Sequence, residues 1–142
     1  MRSIKHIFIH CADTPPSMDI GAVEIRRWHV EERKWKDIGY HAVIRRDGTV
    51  EPGRDLDGDG DVDEEIGAHA AGHNADSLAV CMVGGKGANG KAECNFTIAQ
   101  WLALNSVLTN WRAKYPDVTV LGHSDVEPGK ECPGFAARYL LG

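Results

Sequence analysis

Ser77-Leu78-Ala79-Val80-Cys81-Met82-Val83 is an almost unbroken apolar run of strand length. A strand covered on one face alternates apolar and polar residues; a continuous run marks a central strand buried on both. Elements that cover two faces must then flank it. On the C-terminal side, Thr97 and Gln100 form a capping box, with Phe96 placed to staple against Trp101. Trp101, Leu104, Leu108, Trp111 and Tyr115 follow at helical spacing until Pro116 stops the helix. Val118-Thr119-Val120-Leu121 is a further strand. On the N-terminal side, residues 4–10 read as a strand that Thr14-Pro15-Pro16 turns into a loop. Ile25, Trp28, Glu32 and Trp35 then step 3-4-3, with Glu32 the one polar break, which predicts an amphipathic helix from Ala22 to Trp35. Gly39 to Ile44 reads as a strand, and Asp47-Gly48 as a hairpin turn into Thr49-Val50-Glu51-Pro52. The sum is an α/β chain: a single domain over residues 1–142, with a central mixed β-sheet flanked by α-helices.

Bulk properties agree. A chain of 142 residues can bury a core without disulfides, and 42% hydrophobic with 26% charged residues is ordinary for a globular domain. The apolar stretch at the start is too short for a signal peptide, and no run approaches the roughly 20 residues of a membrane span. Folding in a cytosol is expected, with no membrane partner. Cys11, Cys81, Cys94 and Cys132 contain no C-x-x-C pair, which fits reduced thiols. Cys81 and Cys11 read as buried core thiols, although a Cys11–Cys132 disulfide is an alternative. The net charge of −5 is local: seven acids lie between Asp55 and Glu65, and without them 16 basic residues face 14 acidic ones. No basic stripe suggests nucleic acid.

Two predicted strands end on histidine. Ile7-Phe8-Ile9-His10 delivers one imidazole, Leu121-Gly122-His123 another, and Lys130-Glu131-Cys132 follows in the next loop. Adjacent strands lie about 4.8 Å apart, so neighbouring strand ends can bring both rings to one ion. Two imidazoles and a thiolate make a three-ligand zinc set with a fourth position open to water, as in hydrolytic rather than structural sites. Tyr40 can contribute a phenol, and Lys130 suits stabilisation of an oxyanion. On spacing alone the ordinary roles stay open: structural histidines, a core tyrosine and a surface lysine in a Pro-Gly loop. A Ser-His-Asp hydrolase is set aside, because His123, Ser124 and Asp125 are consecutive and no G-x-S-x-G elbow occurs.

Longer matches cover nearly the whole chain. Ile7 to Pro16, Ile25-Arg26-Arg27-Trp28-His29, Gly39-Tyr40-His41, Arg46 to Glu51, Gly67 to Asn74, Val80 to Gly85, Asn95-Phe96-Thr97 and His123 to Phe135 occur in one order. In that order they resemble the zinc-dependent N-acetylmuramoyl-L-alanine amidases, the type-2 amidase and peptidoglycan-recognition family, and most of all its T-odd phage lysozyme branch. The resemblance implies one Zn2+ held by His10, His123 and Cys132. It makes Tyr40 and Lys130 catalytic, and has His69 line the substrate groove. The bond cleaved would join the lactyl group of N-acetylmuramic acid to L-alanine. His29 and His41 also match; an alternating strand would aim His41 away from Tyr40, and both read as packing residues.

Two departures stand out. The His123–Cys132 interval is one residue longer than in the phage branch, with Gly129 as the extra residue. The stretch from Asp55 to Glu65 is an insertion that resembles an EF-hand calcium loop: Asp55, Asp57, Asp59 and Asp63 fall at positions 1, 3, 5 and 9, and Gly60 at 6. Asp61 lies between them. Position 12 is Ile66 rather than an acid, so a Ca2+ site is weighed against a solvated acidic turn.

The resemblance therefore implies a monomeric endolysin, of phage or prophage origin, held in the host bacterial cytoplasm until the membrane is permeabilised. Peptidoglycan, or a soluble muropeptide, is the expected partner. The alternatives are a cytoplasmic amidase that recycles muropeptides and a non-catalytic relative that binds peptidoglycan or inhibits a polymerase. Recognition-only relatives lose the cysteine ligand, and Cys132 is present. Binding to host RNA polymerase is not expected, because the chain begins only nine residues before His10.

Overall fold

The computed structural model describes residues 2–137. Five strands form one sheet in the order β3-β2-β4-β1-β5: β1 His6–Cys11, β2 Ala42–Ile44, β3 Val50–Pro52, β4 Ser77–Met82 and β5 Thr119–Gly122. The apolar run from Ser77 is the middle strand, and every residue of it is buried. β4 pairs in parallel with β2 and β1, β1 pairs in parallel with β5, and only the β2–β3 hairpin is antiparallel. The sheet is therefore mixed, as the sequence implies.

Side chains alternate across the sheet. Ile7, Ile9, Ala42, Ile44, Leu78, Val80 and Met82 face α2 (Ile98–Lys114), where they meet Leu104, Leu108 and Trp111. Val43, Cys81 and Val83 face the other way, onto Ile20, Ala22 and Ile25 at the start of α1 (Ala22–Arg27). That second face also carries His10, and α1 covers it only in part. The uncovered part becomes a groove.

The capping box of α2 forms as expected, and Phe96 meets Trp101 edge-on at 5.8 Å. Gln100 does more than cap. It is fully buried, its amide donates to the carbonyls of Val83 (2.7 Å) and Ile44 (3.2 Å), and its oxygen accepts from Arg46 (3.0 Å) and from the Thr97 N–H (3.0 Å). One side chain thus ties the start of α2 to two strand ends. Gln100→Leu keeps the volume but strands these groups in a dry site, so it should cost about 3 kcal/mol. The urea midpoint would show it; an unchanged midpoint would mean that water replaces the amide.

The predicted Ala22–Trp35 helix is shorter and differently wound. Regular helix ends at Arg27, and Trp28–Glu32 form a π-helical turn closed by Arg33 N–H to the Trp28 carbonyl. The wider turn rotates His29 inward, where its Nδ1 accepts the Gly39 N–H at 3.0 Å. Lys34 then adopts φ +61°, and Trp35 leaves the helix to lay its ring 4.6 Å from that of His29. The strand predicted from Gly39 is likewise shorter, since ladder pairing begins at Ala42. At Gly39 the backbone runs against Ala68, whose carbonyl oxygen would lie 2.1 Å from any Cβ there. Only glycine permits this approach, which sets the 67–69 segment beside Tyr40.

Candidate metal centre and groove

β1 and β5 are neighbours, with Ile9 opposite Gly122, so His10 and His123 leave adjacent strand ends. Their ring centroids lie 4.8 Å apart. The loop after His123 returns through a Ser124 N–H to Cys132 carbonyl bond of 2.9 Å and brings in the thiol. Ligand atoms of His10, His123 and Cys132 all lie within 4.8 Å of one another, and Cys132 Sγ is 3.8 Å from His10 Nδ1. Gly129 in this loop takes φ +90° with open space around it, a backbone conformation that glycine adopts without strain.

The electrostatics suit a cation. His10 is held well below the usual imidazole range, by burial first and then by His69 and His123, so it is a neutral donor. The Cys132 thiol is pushed well above its ordinary range by its hydrogen bond with Cys11 and then by burial. A nearby divalent ion reverses that balance, because a coordinating thiol deprotonates outright. The Cys11 N–H, 3.0 Å from Cys132 Sγ, is already aimed to support the thiolate. His123 Nε2 faces the Glu127 carboxylate; an Nε2–H donating to that carboxylate would leave Nδ1 as the lone-pair nitrogen. The donor set therefore fits a divalent metal with three protein ligands. Cys11 and Cys132 are both free thiols.

These residues sit in a groove of about 780 Å³ whose walls include Tyr40, Trp28, Trp35, His69 and Lys130. The Tyr40 ring is 5.0 Å from that of His10. Its phenol is held well above the ordinary range, by burial and then by Cys81, Cys132 and Cys11, so it stays a proton donor at neutral pH. Lys130 is exposed and also lines the groove, and among the described residues its ammonium has no carboxylate partner. His69 borders the groove, but both its nitrogens are engaged inside the protein, with His10 and with Ser77.

His29 and His41 pack, as expected. His41 is fully buried, accepts the Ala79 N–H at 3.0 Å and lies 2.7 Å from the Glu65 carbonyl, to which its Nε2–H donates. Burial holds its pKa at about 4, against an ordinary 6.5. The unfolded chain therefore binds a proton that the fold does not, and the stability present above pH 6.5 is lost as pH falls toward 4. We expect the urea midpoint of metal-free protein to drop between pH 7 and pH 5, by about 2 kcal/mol from His41 alone. A flat profile across that interval would show that His41 is protonated without cost.

The acidic stretch that resembles a calcium loop brings some of its carboxylates together and sends others elsewhere. Asp55, Asp57 and Asp59 do gather, and Glu64 and Glu65 join Asp57 in a second group. Asp63 is drawn away to Lys114 at 2.7 Å, and Asp61 caps the short turn Val62–Glu64. Asp55, Asp57, Asp59 and Asp61 already accept backbone N–H groups within the loop. These amides fix the carboxylates of the loop beside one another.

Glu127 and Ser77 were not singled out by sequence. The i, i+4 spacing of His123 and Glu127 is a signal that exists, whereas Ser77 reads only as the first residue of an apolar strand.

A mixed sheet that presents two imidazoles and a thiol in a polar groove offers a three-ligand group that could hold a metal ion. Residues 1–135 match the family model described as N-acetylmuramoyl-L-alanine amidase. The chain belongs to that family and is an amidase. It is 49% identical over 131 residues to an endolysin of Enterobacteria phage K11, covering 92% of this chain and 81% of that one. It is 46% identical over 133 residues to an endolysin of Escherichia phage T7, covering 94% and 82%. Among solved structures, the N-acetylmuramoyl-L-alanine amidase LysC from Clostridium intestinale URNW superposes with a TM-score of 0.75 at 27% identity, over 95% of this chain and 79% of that one.

Proposed function

We propose that this chain is a phage-type endolysin that hydrolyses the amide joining N-acetylmuramic acid to L-alanine in peptidoglycan, with one zinc ion held by His10, His123 and Cys132. The observation that carries this reading is the convergence of these three ligand atoms at the floor of a groove walled by Tyr40 and Lys130. When bound, the ion polarises the scissile carbonyl and lowers the pKa of a water toward 7. The protein supplies the rest. The groove has a volume of about 780 Å³, and Trp28 and Trp35 are among its walls. Tyr40, kept protonated, donates a hydrogen bond to the oxygen on which negative charge develops. The Lys130 ammonium is a second donor to that oxygen, so the charge meets two donors only as it forms.

Among the described residues no helix is long and apolar enough to cross a membrane. Action on the wall would follow permeabilisation of the membrane by another agent, with residues 1–142 working as one catalytic domain and as a monomer.

Purified protein should solubilise intact sacculi, releasing new alanine amino groups and no new reducing sugar ends. Treatment with a chelator should abolish this, and stoichiometric zinc should restore it. New reducing ends would mean a glycosidase and overturn the proposal. Activity on soluble muropeptides alone would move the function to recycling.

A further inference from the structure

One buried line of hydrogen bonds beside His10 has a direction that chemistry alone determines. It begins at the carbonyl of His73, which can only accept. Ser77 Oγ lies 2.7 Å from that oxygen and therefore places its single proton there. The same hydroxyl is 3.0 Å from His69 Nε2. With its proton committed it accepts, so His69 carries its proton on Nε2. A neutral imidazole has one N–H, which leaves His69 Nδ1 as an acceptor. That nitrogen is 3.0 Å from His10 Nε2, which must then be the protonated nitrogen of His10. His10 Nδ1 is left bare, and it is the nitrogen that faces Cys132 Sγ at 3.8 Å.

We infer that His69 and Ser77 are positioning residues: with the His73 carbonyl they fix His10 in its Nε2–H tautomer, so that Nδ1 is presented to the metal before the metal arrives. All three side chains are buried, His10 at 1%, His69 at 8% and Ser77 at 0% exposure, so solvent does not compete for these bonds. His69 is itself held firm, because its own N–H and that of Ala70 both donate to Asn74 Oδ1 at 3.0 Å. The assignment also accounts for a hydroxyl inside an otherwise apolar strand. It gives His69, whose nitrogens both point into the protein, a role other than substrate contact. Partners of this kind orient a ligand and raise its basicity, and their loss typically weakens metal binding 10–100-fold.

What Nδ1 is for rests on the zinc reading above; the tautomer itself does not. The test is a two-bond proton–nitrogen correlation on histidine-labelled, metal-free protein, paired with zinc affinity from competition with a chelating dye. Wild type should show His10 protonated on Nε2 before zinc is added. His69→Leu should mix the two tautomers and weaken zinc about 10–100-fold. His69→Gln, whose side chain offers an acceptor to His10 and a donor to Ser77, should recover affinity to within a few-fold. If His69→Leu does not fold, Ser77→Ala, which removes a single oxygen, serves in its place. Wild-type His10 protonated on Nδ1, or His69→Gln no better than His69→Leu, would overturn the inference. A wild type with the expected tautomer and no zinc affinity would sink the zinc reading and leave the chain of hydrogen bonds standing.

Discussion

Cys132→Ala is expected to purify without zinc and to lose hydrolysis of sacculi by at least about three orders of magnitude, beyond the typical effect of removing one stabilising donor. Its Sγ is the only anionic donor of the three and sits 3.8 Å from His10 Nδ1. Without it two neutral imidazoles remain, a set that leaves a divalent ion largely uncompensated. The fold should survive. Cys132 lies in the loop between β5 and the C-terminal segment, outside both apolar clusters, and the backbone bond from Ser124 that holds the loop does not use its side chain. The proper control is therefore chelated wild type, not holoenzyme. Metal content, circular dichroism and amide hydrolysis should place the variant beside that control on all three. Stoichiometric zinc in an active Cys132→Ala protein would remove the thiolate from the centre and with it the proposed mechanism.

What could be read from the sequence follows how local its causes are. β4 and α2 are legible because their signals are self-contained: an apolar run too continuous for a one-sided strand, and a capping box followed by a stripe at helical spacing. The members of the proposed centre are suggested by histidines at or next to the ends of two predicted strands, but the β1–β5 adjacency that brings them together is a tertiary fact. The widened turn at Trp28–Glu32 is invisible to periodicity because its cause is remote. His29 turns in to receive the Gly39 N–H ten residues later. The pairing of Asp63 with Lys114 at the end of α2 is hidden for the same reason, since 51 residues separate them. His69 was found by resemblance but its partners were not, because nothing local connects it with His10, 59 positions away.

Tyr40→Phe and Lys130→Ala should behave in the opposite way to Cys132→Ala: full zinc, wild-type stability and a kcat lower by about 10²–10³-fold each. Neither side chain belongs to the ligand set, so metal content is the readout that separates their role from that of the cysteine. Both donors would act on charge that exists only in the transition state, so the losses should fall on kcat rather than KM. Burial, and then Cys81, Cys132 and Cys11, hold the phenol of Tyr40 above its ordinary range, which favours its protonated, donating form. Tyr40→Phe should therefore lower the pH–rate curve without moving its limbs between about pH 6 and 9. If instead the acidic limb shifts, Tyr40 is coupled to the proton that the reaction uses, and its role is general base catalysis. The double variant should lose less than the product of the single losses, since two donors to one oxygen act as a unit. Full activity in both single variants would leave the amidase chemistry intact but assign its oxyanion stabilisation to other groups of the groove.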